Sequence, residues 1–146
     1  MGQVAHLFLC PGPRHPMREV ESATALRDTG LAGCRHARSG SRRQVLLIDA
    51  ETLQSFDLQP GQIKENIATT GLAVNQLSKG QRLQIGEALL EVTGPCEPCS
   101  RMDEIRIGLQ QELHGQRGTL CRVVQGGRIV RGDTIQLATA VSVGST

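Results

Sequence analysis

The chain contains no tryptophan and no tyrosine, and its only phenylalanines are Phe8 and Phe56. Base stacking on an aromatic platform is thereby excluded as a design, and nucleic acid is not an expected partner. Lysine is nearly absent as well: of 16 basic residues only Lys64 and Lys79 are lysines. The remainder are arginines, whose planar guanidinium grips phosphate or carboxylate with two parallel hydrogen bonds. Neither lysine sits in an apolar run suited to a Schiff base. Unbroken aliphatic runs are short, Val45-Leu46-Leu47-Ile48 among them, so no membrane-spanning helix is expected. The N-terminus lacks a basic region followed by an apolar stretch and a small-residue cleavage site, which predicts a cytoplasmic protein. Phosphate-binding loops, dinucleotide fingerprints, His-Glu-x-x-His and Gly-x-Ser-x-Gly are all missing. Five cysteines, an odd number, read as free thiols rather than a disulfide framework.

What is present is globular. At 146 residues, 38% hydrophobic, 21% charged and with a net charge of +2, the chain is long enough to fold around one core without a metal or disulfide. Seventeen glycines imply many tight turns. Strands are predicted at Val4–Leu9 and Gln44–Asp49, the latter buried on both faces, followed by a short helix over Ala50–Phe56. Residues 14–41 show no apolar period and read as an extended surface excursion. Arg82–Ile85 and Ala88–Thr93 pair as a hairpin across Gly86-Glu87. Met102, Ile105, Leu109 and Leu113 share one helical face, with Ser100 and Asp103 placed as a capping box and Gly115 at the helix end. Leu120–Val124 and Arg128–Val130 form a second hairpin, and Thr134–Leu137 closes the sheet. The Gly turns at Lys79–Ile85 and Arg131–Leu137 echo each other, as corners of a closed barrel do. Residues 139–146 read as a flexible tail.

Two local clusters point to chemistry. In Gly94-Pro95-Cys96-Glu97-Pro98-Cys99-Ser100, two thiols sit three residues apart between a strand and a helix start. Amide groups there favour a thiolate, the form that attacks or ligates metal; the bland reading makes Cys99 a small buried hydrophobe. Gly33-Cys34-Arg35-His36-Ala37-Arg38, continuing to Arg42-Arg43, concentrates positive charge and suits a phosphate or other oxyanion, or else forms a solvated basic loop. Lys64-Glu65-Asn66-Ile67 can line a pocket or make a polar turn. Arg122, in mid-strand, needs a counter-charge, for which Asp133 or Glu65 is expected.

Taken in order, these residues resemble a MOSC domain, the C-terminal family of molybdenum-cofactor sulfurases. The resemblance spans roughly residues 2–137. It rests on Gly30-Leu31-Ala32-Gly33 with Arg35-His36, Arg43-Gln44-Val45, Pro60-Gly61, Glu65-Asn66-Ile67 and Gly71-Leu72. Leu83-Gln84-Ile85-Gly86, Pro98-Cys99, Gly118, Arg122-Val123, Gly127 and Gly132-Asp133 continue it. It implies a mainly β, barrel-like fold with a few short helices, forming one domain over residues 1–138. It also implies that Cys99 ligates molybdenum or carries sulfur, with Cys96 as a possible dithiol partner. Arg35, His36, Arg38, Arg42, Arg43, Glu65, Asn66 and Arg122 would then hold the cofactor. Family members with assigned activity reduce N-hydroxylated compounds with electrons from partner proteins. Others are fused to a pyridoxal-phosphate sulfurase, a module without counterpart here, so pyridoxal phosphate is not expected. The expected partners are the cofactor and an electron-donor or sulfurase protein, with the chain a monomer or homodimer. Where the family usually has Gly-Asp-x-His, this chain has Gly33-Cys34-Arg35-His36. Two rival functions are a non-catalytic carrier of molybdenum cofactor or of persulfide sulfur, the latter discharging through Cys96–Cys99, and a zinc site built from Cys34, His36, Cys96 and Cys99.

Overall fold

The computed structural model describes residues 2–138; the expected tail at 139–146 lies outside them. Among the described residues are eleven strands: β1 Gly2–Leu9, β2 Arg18–Glu19, β3 Ser22–Leu26, β4 Gly30–Leu31, β5 Val45–Asp49, β6 Ile67–Thr70, β7 Arg82–Ile85, β8 Ala88–Pro95, β9 Thr119–Gln125, β10 Gly127–Val130 and β11 Thr134–Ala138. Three short helices accompany them: α1 Ala50–Ser55, α2 Arg101–Ile105 and α3 Leu109–Glu112. The order β1-β6-β5-β9-β8-β7-β11 closes on itself through pairing of Gly2 with Ile135, giving a seven-stranded barrel. The fold is mainly β, as the resemblance implies.

Each wall of the barrel follows from local sequence. All five residues of β5 are buried, because it lies parallel to β6 on one side and antiparallel to β9 on the other. Asp49 ends β5 and caps α1, its carboxylate accepting from Thr52 N at 3.0 Å and Thr52 Oγ1 at 2.7 Å. β7 and β8 form the expected hairpin, and the two echoing segments prove to be neighbours, with Ile85 opposite Ile135. Leu7, Leu47, Ile67, Leu83, Leu90 and Ile135 fill the interior. A second apolar cluster, containing Ile48, Leu53, Ile63, Met102, Leu109 and Leu113, is covered by the helices.

Four expectations need correction. The excursion at 14–41 is not structureless: β3 and β4 join β10 in a separate three-stranded sheet. β10 therefore pairs with β3 rather than folding back on β9, a long-range match that no local turn signal announces. The helix expected from Met102 to Leu113 breaks at Gly108 (φ +89°) into α2 and α3. Met102, Leu109 and Leu113 are still buried together, so the apolar spacing survives a change of conformation. Ser100 makes no capping hydrogen bond; Asp103 instead accepts from Gln110 N at 2.9 Å, bracing the break.

The loop after β4 is fastened by Gln44, which is fully buried. Its Oε1 accepts from Val123 N at 2.9 Å, and its Nε2 donates to Asp28 Oδ1 at 3.2 Å and to Arg38 O at 3.4 Å. Gln44→Ala strands the buried Val123 N–H and is expected to lower the unfolding free energy by about 1–3 kcal/mol. The exposed Gln136→Ala should stay within about 0.5 kcal/mol; urea denaturation of both variants checks the contrast.

Candidate functional site

A cleft of about 310 Å³ opens where the loop after β4, the β5 start, the turn before β6, the β8 end and the β9 start converge. One wall is apolar: Leu46, Cys96 and Leu120 form a small buried cluster of their own. The rest of the lining is mostly cationic, with Arg35, Arg38, Arg43, Lys64 and Arg117, together with His36. A flat heterocycle carrying an anionic group matches that division, because one face offers dispersion contacts and the other charge.

Arg117 is the residue that the sequence reasoning missed. It is only 6% exposed, and its Nη2 donates to Ile63 O at 2.7 Å. Its Nε and Nη1 have no partner. A buried guanidinium with two unused donors is costly unless an anion completes it. The next residue, Gly118, has φ +102°, and a Cβ there would run into the Leu47 carbonyl. The glycine thus lets the chain pass close over β5 while Arg117 turns into the cleft. An arginine directly before a glycine at a strand start was the available signal.

Glu65 lies beneath this wall, fully buried. Its Oε2 accepts from Gly61 N at 2.5 Å, and its Oε1 is unpartnered. Burial raises its pKa to about 7 against the lowering effect of the Gly61 and Glu65 amides and of Arg117. A neutral carboxyl below a cationic wall does not repel an incoming anion.

Asn66, also fully buried, organises the other side. Its Oδ1 accepts from Leu46 N at 3.0 Å, and its Nδ2 donates to Phe8 O at 3.2 Å, which fixes the amide's orientation. His36 Nδ1, 3.2 Å from Oδ1, is therefore the donor of that contact. The His36 pKa is raised, chiefly by its hydrogen bond to Cys34, against the opposing effect of burial.

Residues 35–136, more than two-thirds of the chain, match the family described as MOSC domain. The chain belongs to the MOSC domain family. Solved structures agree on the fold. The YuaD protein of Bacillus subtilis superimposes with a TM-score of 0.78 at 18% identity, over 92% of this chain and 94% of that one. YiiM from Geobacillus stearothermophilus gives 0.77 at 18% identity, over 94% and 75%. YiiM from Escherichia coli gives 0.71 at 20% identity, over 94% and 70%. No curated protein matches the chain. MOSC domains in general bind molybdenum cofactor. No helix among the described residues is long and apolar enough to cross a membrane.

This MOSC chain brings together Arg35, His36, Arg38 and Arg43 around the cleft, with Glu65 and Asn66 buried behind it. Arg42 is exposed and does not line it; its carbonyl accepts from Thr93 Oγ1 at 2.5 Å. Arg122 stands apart, pairing with Glu91 at 2.9 Å rather than with Asp133 or Glu65, and facing a separate depression with Arg27 and Arg82. Of the two neighbouring thiols, Cys96 is buried and lines the cleft. Cys99 is the one exposed cysteine of the five, which overturns the reading of it as a buried hydrophobe. The four-ligand zinc site does not form. Among the described residues no group of three or more His, Cys, Asp or Glu side chains is placed to hold a metal, and Cys34 and His36 turn toward Asn66 instead.

The buried Glu65 makes stability depend on pH. Its ordinary pKa of 4.5 applies in the unfolded chain and about 7 in the folded one. Between those values the folded state holds the extra proton, so stability falls as pH rises through the window and levels off above it. Glu65→Gln should remove this contribution. Its stability relative to the parent should rise by on the order of 2 kcal/mol between about pH 5 and pH 8. Urea midpoints at the two pH values measure it, and an unchanged difference would assign the slope to another group.

Proposed function

We propose that the cleft holds molybdenum cofactor and that the loaded protein reduces N-hydroxylated compounds, drawing electrons from a partner protein. The observation that carries this reading is Arg117, a buried cation whose Nε and Nη1 are unpartnered at an otherwise cationic cleft. The donors lining the cleft suit a phosphate-bearing pterin. Arg35, Arg38, Arg43, Lys64 and Arg117 supply the charge for the phosphate. Leu46 and Leu120 supply an apolar face for the ring system. Glu65 stays neutral up to about pH 7 and spares the anion a repulsion, and Asn66 keeps His36 directed at its place in the wall.

In this reading the Cys99 thiolate is the protein's ligand to molybdenum. It matches the family's cysteine in Pro98-Cys99, and its exposure leaves it open to a metal. Cys96 serves as part of the cleft wall. When bound, the cofactor supplies two electrons that, with two protons, convert an N–OH group into N–H and water. The protein's own part is to seat the anionic cofactor and hold substrate beside it. The apolar wall also limits water near the reacting group.

Made in a host competent for the cofactor, the protein is expected to carry molybdenum in near-equal proportion to the chain by elemental analysis. Arg117→Ala should lose most of it, while Arg122→Ala, on another face, should not. Stoichiometric zinc with no molybdenum in the parent would overturn the proposal.

A separate pair of variants tests the thiols. Cys99→Ser should lose both molybdenum and anaerobic turnover of an N-hydroxylated substrate, because a neutral hydroxyl does not replace a soft thiolate. Cys96→Ser should keep much of both. The opposite pattern would move the ligand to Cys96.

A further inference from the structure

The loop that carries Arg35 and Arg38 also carries a thiol that the proposed cofactor chemistry leaves unused. Cys34 stands where the family usually has aspartate, and its sulfur occupies a nest of donors. Cys10 N lies 3.3 Å from Sγ and Asn66 Nδ2 also 3.3 Å, and the His36 ring and main chain hydrogen-bond to it as well. Several donors converging on one sulfur stabilise its anionic form. Burial pushes the Cys34 thiol up, but those hydrogen bonds outweigh it and leave the pKa lowered to about 7. That is near the optimum for an attacking thiol in disulfide exchange at neutral pH. Cys121 shows the contrast: buried without such donors, its thiol is pushed up to about 12.

A second thiol is at hand. Arg35 N donates to Cys10 O at 2.8 Å and Cys10 N lies 3.3 Å from Cys34 Sγ, so the two cysteines are in direct contact across adjoining segments. Cys10 Sγ donates to Gly12 O at 3.5 Å. Both cysteines, 6% and 7% exposed, line a surface depression with Pro11 and Gly33 that adjoins the cleft and shares Arg35 and Arg38 with it. The two arginines select for negative charge in whatever approaches the sulfur.

We propose that Cys34 and Cys10 form a second reactive site, a dithiol that reduces small anionic disulfides. The Cys34 thiolate attacks one sulfur of R–S–S–R. The S–S bond breaks, RS⁻ departs, and a mixed disulfide Cys34–S–S–R remains. Cys10 then attacks the Cys34 sulfur, its proton passing to the departing thiolate, and a Cys10–Cys34 disulfide forms as the second RS⁻ leaves. The protein is oxidised by two electrons and R–S–S–R becomes two thiols, once per chain. None of this depends on the cofactor reading.

The test uses the reduced protein with oxidised glutathione, whose halves are anionic, against cystamine, whose halves are cationic. Acid quenching, alkylation and peptide mapping by mass spectrometry identify the products. A Cys10–Cys34 disulfide is expected, formed about tenfold faster from the anionic disulfide. In Cys10→Ser the mixed disulfide should accumulate on Cys34. Replacing both Arg35 and Arg38 by Ala should abolish the preference for the anionic reagent. Modification confined to Cys96 and Cys99, no Cys34 adduct in Cys10→Ser, or equal rates with both disulfides would overturn the proposal.

Discussion

Everything around the cleft hangs on the side chain of Asn66. With no exposure to water, its amide group ties together the end of β1 through Phe8 O, the start of β5 through Leu46 N, and the loop after β4 through Cys34 and His36. Its main chain repeats the link, accepting from Phe8 N at 2.7 Å and donating to Leu46 O at 2.9 Å. A buried primary amide with all its donors and acceptors matched is a rigid node, since any partner that moves leaves an unsatisfied polar group in the interior. Three pieces of chain distant in sequence are thereby held in one geometry, and the cationic loop inherits that rigidity.

Around this node the protein places charge where burial makes it costly. Arg117 and Glu65 are both withdrawn from water without forming an ion pair with each other, and each keeps unpartnered atoms. In a structural pair the two would close together and cancel. Kept apart, the arginine leaves its Nε and Nη1 donors unpartnered and the acid stays protonated to about neutral pH. Elsewhere the charges are conventional: Glu91 sits between Arg82 and Arg122 on the barrel wall, satisfied on both sides.

Legibility in the sequence followed the range of the interactions. The β7–β8 hairpin, the buried strand β5 and the short helix α1 were readable because turn residues and apolar runs are local signals. The pairing of β10 with β3 was not, since its partner residues lie about a hundred positions apart and nothing in Gly127–Val130 distinguishes the two possible neighbours. The apolar spacing of Met102, Leu109 and Leu113 correctly marked a buried face but not the interruption at Gly108, because a broken helix can bury the same side chains. At the site, the clustering of Arg35, His36, Arg38 and Arg43 was visible as a run of cations. Arg117 was not, being one arginine among many until the fold removes it from solvent.

The barrel's seam joins its first strand to its last, Gly2 beside Ile135. Every residue that lines the cleft lies between these two edges in the chain, none on the closing strand itself. A chain emerging from synthesis therefore possesses the whole cleft before it possesses the means to shut the barrel. The final step joins segments at nearly the greatest separation the chain allows, and loop closure of that length sets the pace for folding of topologies rich in distant contacts. Until that step, β1 and β7 each present an uncapped edge, and β11 is the segment that removes both at once.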